Sequence, residues 1–144
     1  MTQPAQTYEN HAKIVPAYHY FTFGLIALNL VYRLYAAAVG FGIDTLMSLL
    51  AAVALMMVFF FARVFALKVQ DRVIRIEMRQ RLAQLAPDLD QRFDELNVDQ
   101  LCSLRFASDG ELPELTRVVL AEKLSDRKAI KKMIRDWQAD LLRA

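Results

Sequence analysis

The chain of 144 residues has the length of one domain, but 56% of its residues are hydrophobic and they occur in blocks, which excludes an ordinary soluble composition. The formal net charge of +2 is shared evenly by the two halves of the chain, so charge gives no argument for a polyanionic partner. The single cysteine, Cys102, excludes an intramolecular disulfide and is compatible with a reduced, cytoplasmic setting.

Residues 1–16 are polar and are predicted to form an N-terminal cytoplasmic arm. Residues 17–39 then form an apolar block of 23 residues, which is long enough to cross a hydrocarbon core of about 30 Å. Aromatic side chains crowd both ends of this block, as is typical of rings at the two membrane interfaces. A short turn leads to a second apolar span over residues 45–67, so residues 17–67 are predicted to form a two-helix transmembrane hairpin.

The second span is predicted to continue without interruption as a helix of about 42 residues, from residue 44 to residue 85. Neither Gly nor Pro occurs between Asp44 and Pro87, and charged residues appear after Arg63 without a break in helical periodicity. At 1.5 Å per residue this helix would be about 63 Å long. Its second half is therefore expected to lie in water.

Short amphipathic helices, about four in number, are predicted after Pro87. Asp88 and Asn97 have the spacing of helix caps, each with a Gln three residues later. The last helix is predicted to carry an apolar stripe made of Ile130, Met133, Ile134, Trp137 and Leu141. The predicted fold class is thus an all-α membrane protein, with a transmembrane hairpin whose second span continues into a cytoplasmic helical domain over residues 68–144.

Flanking charges predict the orientation of the hairpin. The turn between the spans has no Lys or Arg, whereas six basic residues lie within 19 residues at the end of the second span, and Lys13 precedes the first. The positive-inside rule then predicts that both termini are cytoplasmic, and that the turn faces the periplasm if the organism is a Gram-negative bacterium. The residues predicted to meet anionic lipid headgroups are Arg63, Lys68, Arg72, Arg75 and Arg79.

Three polar residues are predicted to lie inside or at the edge of the hairpin: Asn29, Arg33 and Asp44. A charged side chain in a span usually faces protein, water or a partner charge, because exposure to lipid costs several kcal/mol. Arg33 could pair with Asp44, which we favour, or extend outward to the headgroups, or line an aqueous path in an oligomer together with Asn29. Asp44 is also well placed to cap the second helix.

The water-exposed part of the long helix has two apolar faces separated by charged residues. Val69, Val73 and Ile76 form the first face, and Ile74 and Met78 belong to the second. Two apolar faces on one helix require two neighbours. Either the C-terminal helices of the chain cover both faces, or a second subunit covers one of them.

No catalytic, cofactor-binding or metal-binding residues are expected, and the protein is not expected to be an enzyme. His11 and His19 could share a metal with Glu9, but metal sites need three or four converging ligands at characteristic spacings. The basic residues of the last helix are expected to form a solvated face, so nucleic acid is not expected as a partner.

Four segments together resemble a family of small bacterial two-span inner-membrane proteins known only as a domain of unknown function. They are YENHAKIVPAYHYF, FARVFALKVQDRVIRIEMRQRL, LRFASDGELPELTRVVL and IKKMIRDWQADLLR. The resemblance covers nearly the whole chain and implies two spans followed by a cytoplasmic helical tail. It implies no activity, ligand or catalytic residue.

Three kinds of function are compatible with these features. The favoured hypothesis is a structural, scaffold or adaptor protein that presents a helical interaction domain at the cytoplasmic face, as a homo-oligomer or with an unidentified protein partner. The second is a small oligomeric channel or transport accessory subunit. The third is a membrane-tethered module that binds nucleic acid or has a regulatory role.

Overall fold

The computed structural model describes residues 6–10 and 14–140, and in these residues every regular element is helical. The described residues fall into two compact units. One unit contains residues 14–67, and the other contains residues 6–10 and 68–140. The predicted all-helical fold is confirmed over this part of the chain.

The unit of residues 14–67 contains a π-helical segment, Ala17–Thr22, followed by helix α1 (Phe23–Val39) and by the first part of helix α2 (Ile43–Leu85). The Tyr18 hydroxyl donates a hydrogen bond of 2.7 Å to the carbonyl of Phe59, and the two rings stack with centroids 4.4 Å apart. The start of the first helical stretch therefore packs against α2.

Two helical stretches are long and apolar enough to cross a membrane: Ala17–Val39 with 23 residues, and Ile43–Leu85 with 43. Among the described residues of the unit 14–67, Ile26 and Ala52 are buried, and the other side chains are exposed or half-buried. The core helix of a water-soluble protein would bury its apolar side chains, because each one left in water costs free energy. The sequence prediction of two apolar helices of spanning length is confirmed.

Helix α2 runs without interruption, as the absence of Gly and Pro between Asp44 and Pro87 predicted. It begins one residue earlier than expected, at Ile43, so Asp44 lies in the first turn. A carboxylate there interacts favourably with the unpaired N–H groups of the helix N-terminus.

The helical domain of residues 68–140 packs short elements against one face of α2. They are a 3₁₀ helix (Pro87–Glu95) and the helices α3 (Val98–Leu104), α4 (Leu112–Ala121) and α5 (Arg127–Met133). Its core consists mainly of apolar residues that are almost fully buried: Ile74, Met78, Leu82, Leu89, Phe93, Leu101, Leu104, Phe106, Leu112, Val119 and Ile130. Helix α2 supplies the first three of these side chains.

Two of the helices begin with side-chain caps, and the one at Asn97 agrees with the capping pattern in the sequence. Asn97 accepts a 2.8 Å bond from the N–H of Gln100, whose side chain accepts one of 2.8 Å from the N–H of Asn97. The carboxylate of Asp126 accepts from the N–H groups of Lys128 and Ala129 at the start of α5. These bonds satisfy N–H groups that have no partner within the helix.

The predicted cap at Asp88 was wrong. The 3₁₀ helix begins at Pro87, and no side-chain cap is formed at its start. The Asp88 carboxylate instead lies 3.0 Å from the guanidinium of Arg117 on α4. Proline at the first position has a fixed backbone angle φ and no N–H group. The first turn therefore has one unpaired N–H group fewer for a cap to satisfy.

The prediction that the last helix continues through Trp137 was also wrong, because α5 ends at Met133 and Ile134 is extended. The carboxylate of Glu111 accepts bonds from the N–H groups of Arg135 and Asp136, which withdraws both groups from the helix. Trp137 then forms an antiparallel bridge with Ala107. Leu141, the last member of the predicted stripe, lies outside the described residues.

The bridge attaches the end of the chain to the loop after α3. The N–H of Gln138 donates to the carbonyl of Phe106 at 2.8 Å, and the Trp137 ring packs on the Phe106 ring with centroids 5.1 Å apart. Farther along, the N–H of Asp140 donates to the side-chain oxygen of Gln6 at 2.8 Å. The first and last described segments therefore meet in this domain.

Candidate interaction surface

A row of apolar side chains on α2 is exposed on the surface of the helical domain. Val69 is 62% exposed, Val73 46% and Ile76 61%, and we refer to these three residues as the exposed row. They are the first apolar face predicted from the sequence. Three large apolar side chains in line on one helix form a typical interaction surface.

The second predicted face is buried within the same domain. Ile74 is 4% exposed and Met78 1%, and both belong to the core that the 3₁₀ helix and α3–α5 complete. At 100° per residue the buried side chains lie about 180° around the helix from the exposed row. The helices of the chain thus cover one apolar face of α2 and leave the other uncovered.

Charged side chains of opposite sign lie on the two sides of the exposed row. Arg72 is on one side and Glu77 on the other, and both are exposed. Within the described residues, neither side chain forms an ion pair. The sequence had indicated Arg72 as a basic group at the membrane surface, but it gave no signal for Glu77, which becomes notable only because the row beside it is uncovered.

Two of the five basic residues predicted to meet lipid headgroups contact their own domain. The Arg75 guanidinium lies 2.8 Å from Asp94 and over the ring of Phe93, at 5.5 Å. The Arg79 guanidinium also lies over that ring, 5.3 Å from its centroid, and 3.9 Å from Asp90. Both cations therefore stabilise the packing of the 3₁₀ helix, a role that the sequence analysis missed.

The other three basic residues of this set have no ion pair with the helical domain in the described part of the chain. Lys68 and Arg72 are exposed, whereas Arg63 is half-buried and belongs to the unit of residues 14–67. Arg63 lines a groove of about 180 Å³ together with Tyr18 and His19. These three cations remain available to anionic groups.

The polar residues of the hairpin do not form the pair that the sequence favoured. The Arg33 guanidinium lies over the ring of Tyr32, 5.6 Å from its centroid, and no ion pair joins it to Asp44 in the described structure. Asn29 and Asp44 are exposed. Arg33 is partly covered by its aromatic neighbour, which is compatible with a side chain that extends toward headgroups.

A cleft of about 360 Å³ lies beside α2 and the C-terminal segment, and its polar walls include Glu77, Gln80, Arg81, Arg105 and Asp140. The Nε atom of Arg105 lies 3.2 Å from the Asp140 carboxylate, in an ion pair that lacks the alignment of a hydrogen bond. Arg81, Arg105 and Asp140 interact with one another or with the backbone, so their charges are already satisfied within the domain.

Arg81 is the centre of these contacts. Its guanidinium donates to the carbonyls of Arg105 and Ala107, at 3.2 and 3.0 Å, and so reaches the last turn of α3 and the loop that follows it. It also bonds the carboxylate of Asp109 and, at 2.8 Å, the side chain of Gln138. The sequence indicated Arg81 as one positive charge among six, whereas its role in the fold is to join three segments of the domain.

Three of the four basic residues of α5 have contacts within the domain. Arg127 forms a short ion pair with Asp99, and the Lys131 ammonium lies 5.2 Å from the centre of the Phe106 ring. Lys132 lies 5.8 Å from the centre of the Tyr8 ring. Arg127, Lys128 and Lys132 are nonetheless exposed, so this face is solvated even though several of its cations also contact the domain.

Cys102 is buried, and its thiol donates a hydrogen bond to the Asp71 carboxylate, with 3.3 Å between Sγ and Oδ1. Burial, followed by the hydrogen bond and the charge of Asp71, raises the pKa of the thiol from 9.0 to about 11. The thiolate is the reactive form, so this environment makes Cys102 a poor nucleophile.

We therefore expect Cys102 to react with iodoacetamide at pH 9 at least about 50-fold more slowly in the folded protein than in the protein unfolded by urea. At this pH about 1% of the thiol is ionised in the folded protein, compared with about half in the unfolded protein. The pKa of this thiol is higher in the folded protein than in the unfolded protein. Its contribution to the free energy of unfolding is therefore fully present below pH 9 and is lost as the pH rises from 9 to about 11. Mass spectrometry of the adduct measures the rate. An exposed cysteine, Glu122→Cys with Cys102→Ser, is the control, and equal rates for Cys102 in the folded and unfolded protein would contradict the expectation.

Over residues 6–10 and 14–140, no three His, Cys, Asp or Glu side chains are grouped so that they could hold a metal ion. His19 interacts with its own helical turn, where its ring nitrogen lies 3.1 Å from the backbone N and O of Val15. His11, which the sequence analysis considered together with His19 as a metal ligand, lies outside the described residues.

Comparison with known proteins gives one result. Comparisons with curated proteins and with solved structures both give no significant match. A family model, described as a family of unknown function (DUF6526), matches residues 1–144. This agrees with the resemblance to an uncharacterised family that the four sequence segments suggested, and the chain therefore belongs to the family of unknown function DUF6526.

Proposed function

We propose that this protein is an integral membrane scaffold or adaptor, which holds a helical interaction domain at the cytoplasmic face of the inner membrane. Residues 17–39 and 45–67 are the two spans, and both termini are cytoplasmic. Support comes from two helices of spanning length with exposed apolar side chains, and from a turn between them that has no basic residue. Lys68, which follows the second span, is exposed and can meet anionic headgroups.

The observation that carries this proposal is the exposed row. The domain has a closed core of its own, yet Val69, Val73 and Ile76 stay outside it on the same helix that supplies Ile74 and Met78 to the core. Leaving three large apolar side chains in water is unfavourable, at about 25 cal/mol for each Å² of apolar surface. A protein partner on this surface would remove that cost.

The alternative functions have less support. A module that binds nucleic acid through α5 would need its cations free, but Arg127, Lys131 and Lys132 interact within the domain. A channel lined by Asn29 and Arg33 would need both side chains on one aqueous path, whereas the Arg33 guanidinium lies over the ring of Tyr32 and is half-buried. Neither observation favours these functions over a scaffold.

Two measurements in cells test the proposal. Topology reporters fused before residue 1 and after residue 144 should both read as cytoplasmic, and an extracytoplasmic signal at either end would overturn the membrane arrangement. A photo-crosslinking amino acid at Val73 should capture a protein, whereas the same amino acid at the exposed position Glu122 should not. Equal capture at both positions, or none at Val73, would contradict a scaffold role for the exposed row.

A further inference from the structure

We infer that the partner of the exposed row is a second copy of this chain, packed in parallel as a two-stranded coiled coil along the α2 segment of residues 69–84. This inference rests on the proposed function, because a membrane-spanning α2 gives both copies the same direction. It specifies the partner, the register and the ion pairs that the general proposal leaves open.

The spacing along α2 fits the seven-residue repeat of a coiled coil. Val69, Ile76 and Ala83 are each seven residues apart and occupy d positions, and Val73 and Gln80 occupy the a positions between them. All five side chains are exposed. A polar residue such as Gln80 at a single a position is the type of residue that sets register and the number of strands, at some cost in stability.

The charges beside this row complement each other in only one arrangement of two copies. In the same register Arg72 is a g residue and Glu77 is the e residue five positions later. Parallel two-stranded coiled coils place the g residue of one helix beside that e residue of its partner, so each Arg72 would meet the Glu77 of the other copy, twice by symmetry.

Access to this face is open in the domain. The buried side chains Ile74 and Met78 are on the opposite side of α2, so a second helix can approach the exposed row without displacing the core. Neither Arg72 nor Glu77 forms an ion pair within the described part of the chain, so pairing between copies breaks no existing ion pair. A lipid surface would instead favour basic residues on both sides of the row, and Glu77 is acidic.

The first test uses disulfide formation in the full-length protein in membranes, with Cys102→Ser to remove the natural thiol. Ile76→Cys should form a disulfide-linked dimer under mild oxidation, because d residues of a parallel dimer face each other across the two-fold axis. Glu122→Cys, at an exposed position away from the row, is the matched control. Dimer formation by Ile76→Cys no faster than by the control would overturn the inference.

The second test reverses the charges and measures the dimer fraction of detergent-solubilised protein by native mass spectrometry. Arg72→Glu and Glu77→Arg should each weaken dimerisation about tenfold, because each places like charges opposite one another twice. The double variant Arg72→Glu with Glu77→Arg should restore dimerisation to within about twofold of the original. Additive weakening in the double variant would overturn the parallel pairing of these residues.

The scaffold function and the second copy as its partner can be disproved separately. If the photo-crosslinker at Val73 captures a different protein and Ile76→Cys forms no dimer, the second-copy inference is wrong while the scaffold proposal stands. An extracytoplasmic terminus would overturn the membrane arrangement instead. The fluorescence of Trp137, the single tryptophan, reports the packing of the core and shows that each variant is folded.

Discussion

Ile74→Glu combined with Met78→Glu is expected to unfold the helical domain, with a loss of more than about 5 kcal/mol, which is comparable to the whole stability of a small domain. Both side chains are almost completely buried among apolar neighbours, so each carboxylate would lose its hydration without gaining a partner. A urea titration of the detergent-solubilised protein, followed by Trp137 fluorescence, measures the loss.

The matched control is Val73→Glu combined with Ile76→Glu, which places the same two charges on the same helix. These positions are exposed, so the domain should keep its core and lose less than about 1 kcal/mol, while the dimer should dissociate. Unfolding by both pairs of substitutions, in a protein that is a monomer throughout, would be inconsistent with subunit contact through this helix.

Arg81→Leu is expected to destabilise the domain by about 3 kcal/mol, the second largest effect. The substitution would leave the carbonyls of Arg105 and Ala107 without their side-chain donor, and Asp109 without its ion pair. It would also release Gln138, next to Trp137, so Trp137 fluorescence should change even in the native state. The same urea titration gives the free energy of unfolding.

Arg117→Leu is the comparison for Arg81. The Arg117 side chain is 44% exposed and its partner Asp88 is 60% exposed, so this ion pair is screened by water and should contribute less than about 1 kcal/mol. A similar loss for both arginines would mean that the hydrogen bonds of Arg81 to the backbone add little.

The sequence predicted the elements that depend on local signals. Helix α2 is continuous because no residue between Asp44 and Pro87 interrupts a helix, and the box of Asn97 and Gln100 forms because both bonds lie within one helical turn. The two apolar faces could also be separated by periodicity alone. Which of them the domain would cover could not be predicted, because that depends on packing with residues as distant as Ile130.

Several contacts could not be foreseen from periodicity and charge. The periodicity of Ile130, Ile134 and Trp137 suits a helix, but Glu111 accepts bonds from the backbone N–H groups just after Ile134 and ends it. Arg75 and Arg79 have the position of headgroup ligands, yet Phe93, fourteen or more residues later, lies beneath them. We favoured a pair between Arg33 and Asp44 because both residues lie near the turn between the two apolar helices. The Arg33 guanidinium instead contacts the ring of its neighbour Tyr32.

The attachment of Trp137 and Gln138 to the loop at Phe106 and Ala107 also affects the order in which the protein can mature. A ribosome makes residues 17–85 before it makes the segment that closes the core, so both apolar helices are available for insertion while the domain is still incomplete. During that interval Met78 and Leu82 have no complete cover. A truncation before Trp137 would prolong this stage, and in the proposed membrane arrangement quality-control proteases would then meet an inserted chain whose domain is not yet closed.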